Sequence, residues 1–428
     1  MDFATSSSPA VQRQLDRLGA LSVPEGRLGL DAIRTLLARL GDPHLRLPPA
    51  FHVAGTNGKG STCAYLRAML EADGKRVHVT TSPHLVRYNE RIRVAGELIS
   101  DQRLAALLAE VLDAGQDLSP SFFEVTIAAA FLEFARVPAD ACVIEVGLGG
   151  RFDATNVLSH PAACGIAALG IDHERFLLAP EEGTPDEPLS RIAFEKAGIA
   201  KAGVPLATLS YPEGPTLEIE RAALTTRANL AMRGRDWDAE ATDLGLEYQD
   251  RFGSLILPLP ALPGPHQPEN AALAVAMLRH QDVVSIATES LAEGIRSARW
   301  PARLQRLAPG PLIGNREVWL DGGHNPSAGE MLAAHFAKKR VHLVIGMLAN
   351  KRPDALIGPL RGSLASVTAV PVPAHEYHPT AAFGPGVTSA ADVPHALAAL
   401  PNDGLPVLIA GSLYLAGEVL RLNGEMPD

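Results

Sequence analysis

The sequence is short of cysteine, of excess positive charge and of long apolar runs, and each shortage removes a class of protein. Its three cysteines, Cys63, Cys142 and Cys164, sit in apolar or helix-starting surroundings without metal-ligand spacing. A disulfide scaffold and a cysteine metal cage are therefore excluded, and the thiols read as reduced and buried in a cytoplasmic protein. Lys and Arg number 38 against 48 Asp and Glu, a formal charge of −10. With no basic excess to neutralise a phosphate backbone, a general nucleic-acid partner is excluded. Small anions are not, because a few local donors hold them. No apolar run reaches the roughly 20 residues that span a bilayer. The opening stretch MDFATSSSPAVQRQLDRL has neither the basic nor the apolar region of a secretory signal. What remains is an ordinary globular composition, 46% hydrophobic and 20% charged over 428 residues, long enough for two or three domains.

From residue 50 to about 210, β-rich runs alternate with helical stretches. FHVA (51–54), VHVT (77–80), CVIEV (142–146) and ACGIAAL (163–169) read as buried parallel strands. STCAYLRAMLEA and SFFEVTIAAAFLEFA read as helices between them, an α/β sheet with right-handed crossovers. A second set begins after about residue 300, with strands in REVWLD, VHLVIGM, SVTAVPV and PVLIAG and helices in SAGEMLAAHFAKK, ADVPHALAAL and GSLYLAGEVLRL. The expected division is 1–297 and 298–428, a P-loop-type parallel-sheet domain followed by a smaller Rossmann-like α/β domain.

Gly55, Thr56, Asn57, Gly58, Lys59, Gly60, Ser61 and Thr62 follow strand FHVA and open a helix. Glycines let backbone N–H groups wrap phosphate oxygens with the helix dipole behind them, and Lys59 would neutralise the charge. The strict Walker pattern is not met, since Val53 stands where its first glycine belongs and Gly60 follows the lysine. A phosphate-bridging metal must then draw its protein ligands from elsewhere. Three further segments sit at presumed strand ends, where α/β folds build sites: Thr81–His84, Glu145–Asn156 and Asp172–Glu174. Singly, a serine, glutamate or histidine there is as well explained by a turn or a solvated face. Phe194 to Ile199 adds a lysine, Lys196.

GTNGKGST, with these segments in order, resembles the folylpolyglutamate synthase branch of the muramyl-ligase superfamily, from about Leu28 to Leu420. The resemblance implies that Ser82, Glu145 and His173 hold two magnesium ions beside ATP, and that Lys196 is carbamylated. Here 22 residues separate His173 from Lys196, more than in the pattern it resembles, with PEEGTPDEP (180–188) expected to loop out. It also places the acceptor against Phe123, Glu124, Phe152, Asp153 and Ala154, under a lid that includes Gly29 and Asp31. On residue type alone Phe123 is core and Asp153 a turn cap. Asn270 in HQPEN resembles a nucleotide contact, and WPAR and DGGHNP resemble W-P-G-R and D-G-A-H-N-P, with Ala302 and Gly323 as departures. Arg303 and Asp321 would contact ATP, and His324 the transferred phosphoryl group.

The implied reaction is ATP-dependent ligation of L-glutamate to dihydropteroate and to tetrahydrofolate polyglutamates through an acyl phosphate. Lys59, Lys196 and His324 would be the catalytic residues, in a monomer. A sister muramyl ligase would share the loop but not TSPHL, FFEVT or EVGLGGRFDATN. A single-activity folylpolyglutamate synthase and a non-catalytic nucleotide-binding protein remain as alternatives. A simple P-loop kinase is disfavoured by the loop departure.

Overall fold

In the computed structural model residues 5–21 and 29–427 are described; Leu28 and the first four residues lie outside them. The chain divides into two compact units, one reaching Ala261 and resuming over Gln267–Ala298, the other comprising Leu262–His266 and the chain from Arg299. A single cut does not describe this, because the Pro-Gly-Pro segment before Gln267 clusters with the later unit. Within that unit His266 lies close enough to Arg303 for the guanidinium, after burial itself, to hold its pKa down to about 4.

The first unit is built on β1 (Ala50–Ala54), β2 (Val77–Thr80), β3 (Ile92–Val94), β4 (Glu97–Leu98), β5 (Ala141–Glu145), β6 (Ala163–Ile166), β7 (Pro205–Thr208) and β8 (Asn229–Met232). They form one sheet in the order β4-β3-β2-β5-β1-β6-β7-β8. Only the β3 and β4 pairings are antiparallel. β1 and β5 are buried along their whole length, as central strands covered on both faces must be. The chain runs from β1 toward β2, then crosses after β5 to β6 on β1's other side. That reversal opens a crevice at the carboxyl ends of β1, β5 and β6.

Two helices frame the crevice. Phe122–Arg136 starts on a capping box in which Ser121 and Glu124 satisfy each other's backbone N–H. It is buried from Val125 to Phe134, within a core shared with the helices Pro9–Gly19, Asp31–Arg39 and Asp101–Ala114. Lys59–Ala72 carries the glycine-rich loop at its start and packs on Thr288–Ser297 and Gln267–Arg279. Gly294 makes the first contact possible, since a Cβ there would stand 2.5 Å from Met69 Cα.

A small antiparallel sheet of β9 (Trp237–Thr242), β10 (Gly245–Asp250) and β11 (Gly253–Leu257) was not legible in the sequence. Its strands are mostly polar, and one face is held by the Trp237–Tyr248 stack and the Arg279–Asp250 ion pair at 2.7 Å. The second unit has β12 (Gln305–Arg306), β13 (Val318–Leu320), β14 (Val341–Ile345), β15 (Leu364–Ala369), β16 (Thr388–Ser389) and β17 (Val407–Ala410) in the order β12-β13-β17-β14-β15-β16, parallel except for β12. Among the described residues no helix is long and apolar enough to cross a membrane.

Gly294→Ala is expected to force the paired helices apart. The cost should be about 1–3 kcal/mol, typical of overpacking, read as a lower denaturation midpoint at unchanged slope.

Candidate active site

The glycine-rich loop is shaped by what it must approach. Gly55 has φ +151°, and a Cβ there would lie 2.9 Å from Ala167 Cβ; Gly58 is left-handed at φ +81°, with the Asn270 amide where a side chain would go. The N–H groups of Thr56 and Asn57 both donate to Ala168 O, at 2.8 and 3.2 Å. Thr56 Oγ1 donates to Gly170 O at 2.9 Å. These two N–H groups therefore stitch the loop to the end of β6 rather than pointing inward. The donors left for an anion are the first-turn N–H groups of Lys59–Ala72, beginning at its N-cap Gly58, which have no partner within the helix. Gln267 steadies the turn, its Nε2 donating to Ser61 Oγ at 3.3 Å, and Asn270 Nδ2 donates to Gln267 Oε1 at 3.3 Å.

Two lysines meet at one carbonyl. Lys59 Nζ donates to Gly55 O at 3.0 Å and Thr56 O at 3.3 Å, and Lys196 Nζ donates to the same Gly55 O at 2.9 Å. The long spacing from His173 therefore does not keep Lys196 from the loop. Its helix, Pro188–Ala197, closes in because Gly150 and Gly198 leave room: Cβ atoms there would stand 3.0 Å from Lys196 Cα and 2.5 Å from Arg151 Cβ. Lys196 is only 4% exposed. Burial, followed by repulsion from Lys59, lowers its pKa to about 7, against the pull of Asp172, Asp153 and Glu195. A good share of its amine is then neutral at neutral pH.

Across the crevice Ser82 N–H donates to Glu145 Oε2 at 3.0 Å, joining the ends of β2 and β5. Glu145 is buried and Ser82 partly so. His173 lies on an exposed turn at φ +54°, its N–H bonded to Asp172 Oδ1 at 2.8 Å. Among the described residues no group of three or more His, Cys, Asp or Glu gathers as a metal cage. The Glu145 carboxylate, bonded to the backbone of Ser82, fits magnesium, which takes one or two hard protein ligands and fills its shell with phosphate and water.

On the proposed acceptor side the Phe123 ring lies against Gly147, where a Cβ would be 2.7 Å from its Cε1. Glu124 and Asp153 are engaged locally. Glu124 Oε2 accepts Ser121 N–H at 2.8 Å. Asp153 Oδ2 accepts Leu148 N–H at 2.8 Å and Oδ1 accepts Thr155 N–H at 3.0 Å, so this carboxylate caps the turn that shapes the loop. Burial raises its pKa. Phe152 carries the Arg151 guanidinium 4.2 Å above its ring, and Ala154 is buried. Gly29 and Asp31 are exposed at the start of the helix Asp31–Arg39.

The second unit gathers its own cluster. Buried Asp321 accepts Leu304 N–H and Gly323 N–H, both at 2.7 Å, and burial raises its pKa against the pull of Arg303. Ala302 O accepts Gly322 N–H at 2.9 Å and Arg303 Nη1 at 3.0 Å. His324 Nδ1 lies 3.1 Å from Gly322 O. Both departures from the resembled motifs have structural consequences. Ala302 sits left-handed at φ +55°, a conformation costing an alanine about 1–2 kcal/mol. Gly323 is required, since a Cβ would stand 2.6 Å from Ala328 Cβ.

No protein-family model matches the chain. It is 37% identical to the dihydrofolate synthase/folylpolyglutamate synthase of Bacillus subtilis, over 76% of each chain. A structure of Escherichia coli FolC in complex with DHPP and ADP superposes with TM-score 0.86 at 32% identity, covering 97% of this chain and 98% of that one. A bifunctional folylpolyglutamate synthase/dihydrofolate synthase with Mn, AMPPNP and L-glutamate bound gives TM-score 0.84 at 29% identity, covering 98% and 99%.

Lys196 sets a pH dependence. Its folded pKa, about 7, lies below the ordinary 10.5, so between these values the unfolded chain binds more protons. Stability should rise with pH through that window, by up to about 1.4 kcal/mol per unit for one proton. Lys196→Met should remove this slope, read by denaturant unfolding at a series of pH values. Gly150→Ala should push the lysine's helix off the loop and lower turnover about 100-fold, the scale of a 1 Å misplacement.

Proposed function

This chain belongs to the dihydrofolate synthase/folylpolyglutamate synthase family of ATP-dependent amide ligases, and on that premise we propose that it joins L-glutamate to dihydropteroate and to tetrahydrofolate polyglutamates. The observation that carries the reading is the meeting of Lys59 and Lys196 at Gly55 O, at the end of β1, in a sheet whose β2 and β5 ends present Ser82 and Glu145. Amide formation from a carboxylate is uphill in water, so the acid is first activated. The acceptor carboxylate attacks the γ-phosphorus of ATP, releasing ADP and forming an acyl phosphate. The glutamate amine then attacks that carbonyl, and phosphate leaves with the electron pair of the broken C–O bond.

Phosphoryl transfer asks the protein for positioning and charge neutralisation. The first-turn N–H groups and Lys59 hold the phosphates. Ser82 and Glu145 would hold magnesium, with His173 on its exposed turn assigned to a second ion; the metal supplies neutralisation of developing phosphate charge. The Lys196 amine, poised near neutrality, captures CO2 as a carbamate, with one proton released to solvent, and becomes an anion that orients the metal-facing groups. Phe123 and the loop through Phe152, Asp153 and Ala154 bound the acceptor, with Gly29 and Asp31 in the lid. Asp153 acts chiefly by fixing the loop. In the second unit Arg303 supplies positive charge, Asp321 a nucleoside contact and His324 a phosphoryl contact, with Asn270 of the first unit on the nucleotide. We assign the protein to the cytoplasm, in keeping with three free, buried thiols, and take it to act as a monomer.

The test is phosphate release with magnesium-ATP and L-glutamate, with dihydropteroate in one series and tetrahydrofolate in another. Release requiring glutamate with both acceptors is expected. Release with tetrahydrofolate alone would leave a single-activity synthase, and none with either would overturn the reading. Lys59→Met and Glu145→Gln should each lower kcat about 10²–10³-fold, the cost of losing one transition-state charge partner. Depleting bicarbonate should slow the wild type and leave a Lys196→Ala variant, already impaired, unchanged.

A further inference from the structure

We propose that Glu181, on the acidic segment between His173 and Lys196, is a positioning residue for ligation, holding the acceptor loop and the Lys196 helix in mutual register through Arg151 and Arg191. The inference rests on the reading of Lys196 as catalytic. Glu181 takes Arg151 in a fork, accepting Nη1 at 3.1 Å and Nη2 at 2.6 Å, and accepts Arg191 Nη2 at 3.2 Å. Glu195, next to Lys196 in sequence, faces the same two cations: Arg151 Nη2 at 2.7 Å and Arg191 Nη2 at 3.0 Å. Thr184 fastens the segment from behind, its Oγ1 donating to Glu181 O at 2.6 Å and accepting from Arg191 Nη1. The segment expected to loop out is thus docked by one of its acids.

Three strands of chain meet at this quartet. Arg151 belongs to the acceptor loop, and its guanidinium carbon lies 4.2 Å from the Phe152 ring centre and 4.9 Å from that of Phe194. Arg191, Phe194, Glu195 and Lys196 share the helix Pro188–Ala197. Backbone bonds carry the register onward: Arg151 N–H donates to Glu195 O at 2.7 Å, and Asn156 Nδ2 donates to both Arg151 O and Gly198 O at 3.0 Å. The side chains of Arg191 and Glu195 are 6% and 7% exposed, those of Arg151 and Glu181 23% and 19%. With Glu181 neutralised, two guanidiniums would share one carboxylate in a largely buried setting and leave a charge uncompensated. Arg151 would lose its fork, and the error would fall on the 2.9 Å contact of Lys196 with Gly55 O.

The test uses the full chain as wild type, Glu181→Gln, Arg151→Lys and Glu182→Gln, the last removing an exposed acid from the same segment. kcat, the KM for each substrate and the melting temperature are measured, with assays run well below every midpoint. Glu181→Gln and Arg151→Lys are expected to lose at least ~10-fold in kcat, within the penalty for sub-ångström misplacement. The KM for ATP should stay within about threefold, because the phosphate loop itself is untouched. Glu182→Gln should match the wild type. Lower melting temperatures with unchanged kcat would reduce Glu181 to a structural role and overturn the proposal, as would equal losses in Glu182→Gln. Should Glu181→Gln fail to fold, Arg151→Lys, which keeps the charge and loses the fork, decides alone. Wild-type protein without glutamate-dependent turnover would overturn the functional reading and this inference with it; active wild type with normal variants would overturn only the inference.

Discussion

Two ammonium groups donating to one buried carbonyl is the arrangement on which the rest of the site depends. Gly55 O is a single acceptor, and Lys59 and Lys196 both reach it. Two like charges so close, one of them almost fully buried, cannot both be comfortable cations. The strain falls on Lys196, which lies deeper and has its pKa drawn to about 7. Lys59 stays at the partly open mouth, where an incoming polyphosphate would supply the counter-charge. Under the proposed function one lysine would bind an anion and the other would react as an amine. The difference comes from depth rather than from residue type.

Bringing the second lysine there demands backbone contact that side chains would block, and glycine supplies it. Gly55 and Gly58 let the loop fold against β6 and Asn270, and Gly147 admits the Phe123 ring. Gly150 and Gly198 let the Lys196 helix sit on the loop after β5. Electrostatics complete what close approach begins. Anions around the crevice, Asp172, Asp153 and Glu195, temper the loss of charge on Lys196 without restoring its ordinary basicity.

Some residues matched by motif turn out to hold the scaffold. Glu124 closes a capping box and Asp153 caps a turn, each with its oxygens on neighbouring N–H groups. These bonds are local, within five residues: residue type alone read Asp153 as a turn cap, and an acid three residues after Ser121 could have announced the capping box. Arg151 and Glu181 could not be found that way. They lie 30 residues apart and meet only because the intervening chain folds back across the sheet. The hairpins of β9 to β11 were missed for a related reason, since their polar strands carry little periodic signal and gain stability from the Trp237–Tyr248 stack across strands and the Tyr248–Asp250 bond beside it.

The sequence by itself determined the α/β class, the main strands of the two larger sheets and the glycine-rich loop opening a helix, because these rest on short-range patterns: apolar runs of strand length, and glycines before a lysine at a helix start. It also carried enough ordered motifs to point to the family. Tertiary structure alone decided which donors serve the loop, that Lys196 reaches Gly55 despite the 22 residues separating it from His173, and that an acidic segment is docked by Glu181. Those outcomes depend on burial and on contacts between distant segments, and neither quantity exists until the sheet brings its strand ends together.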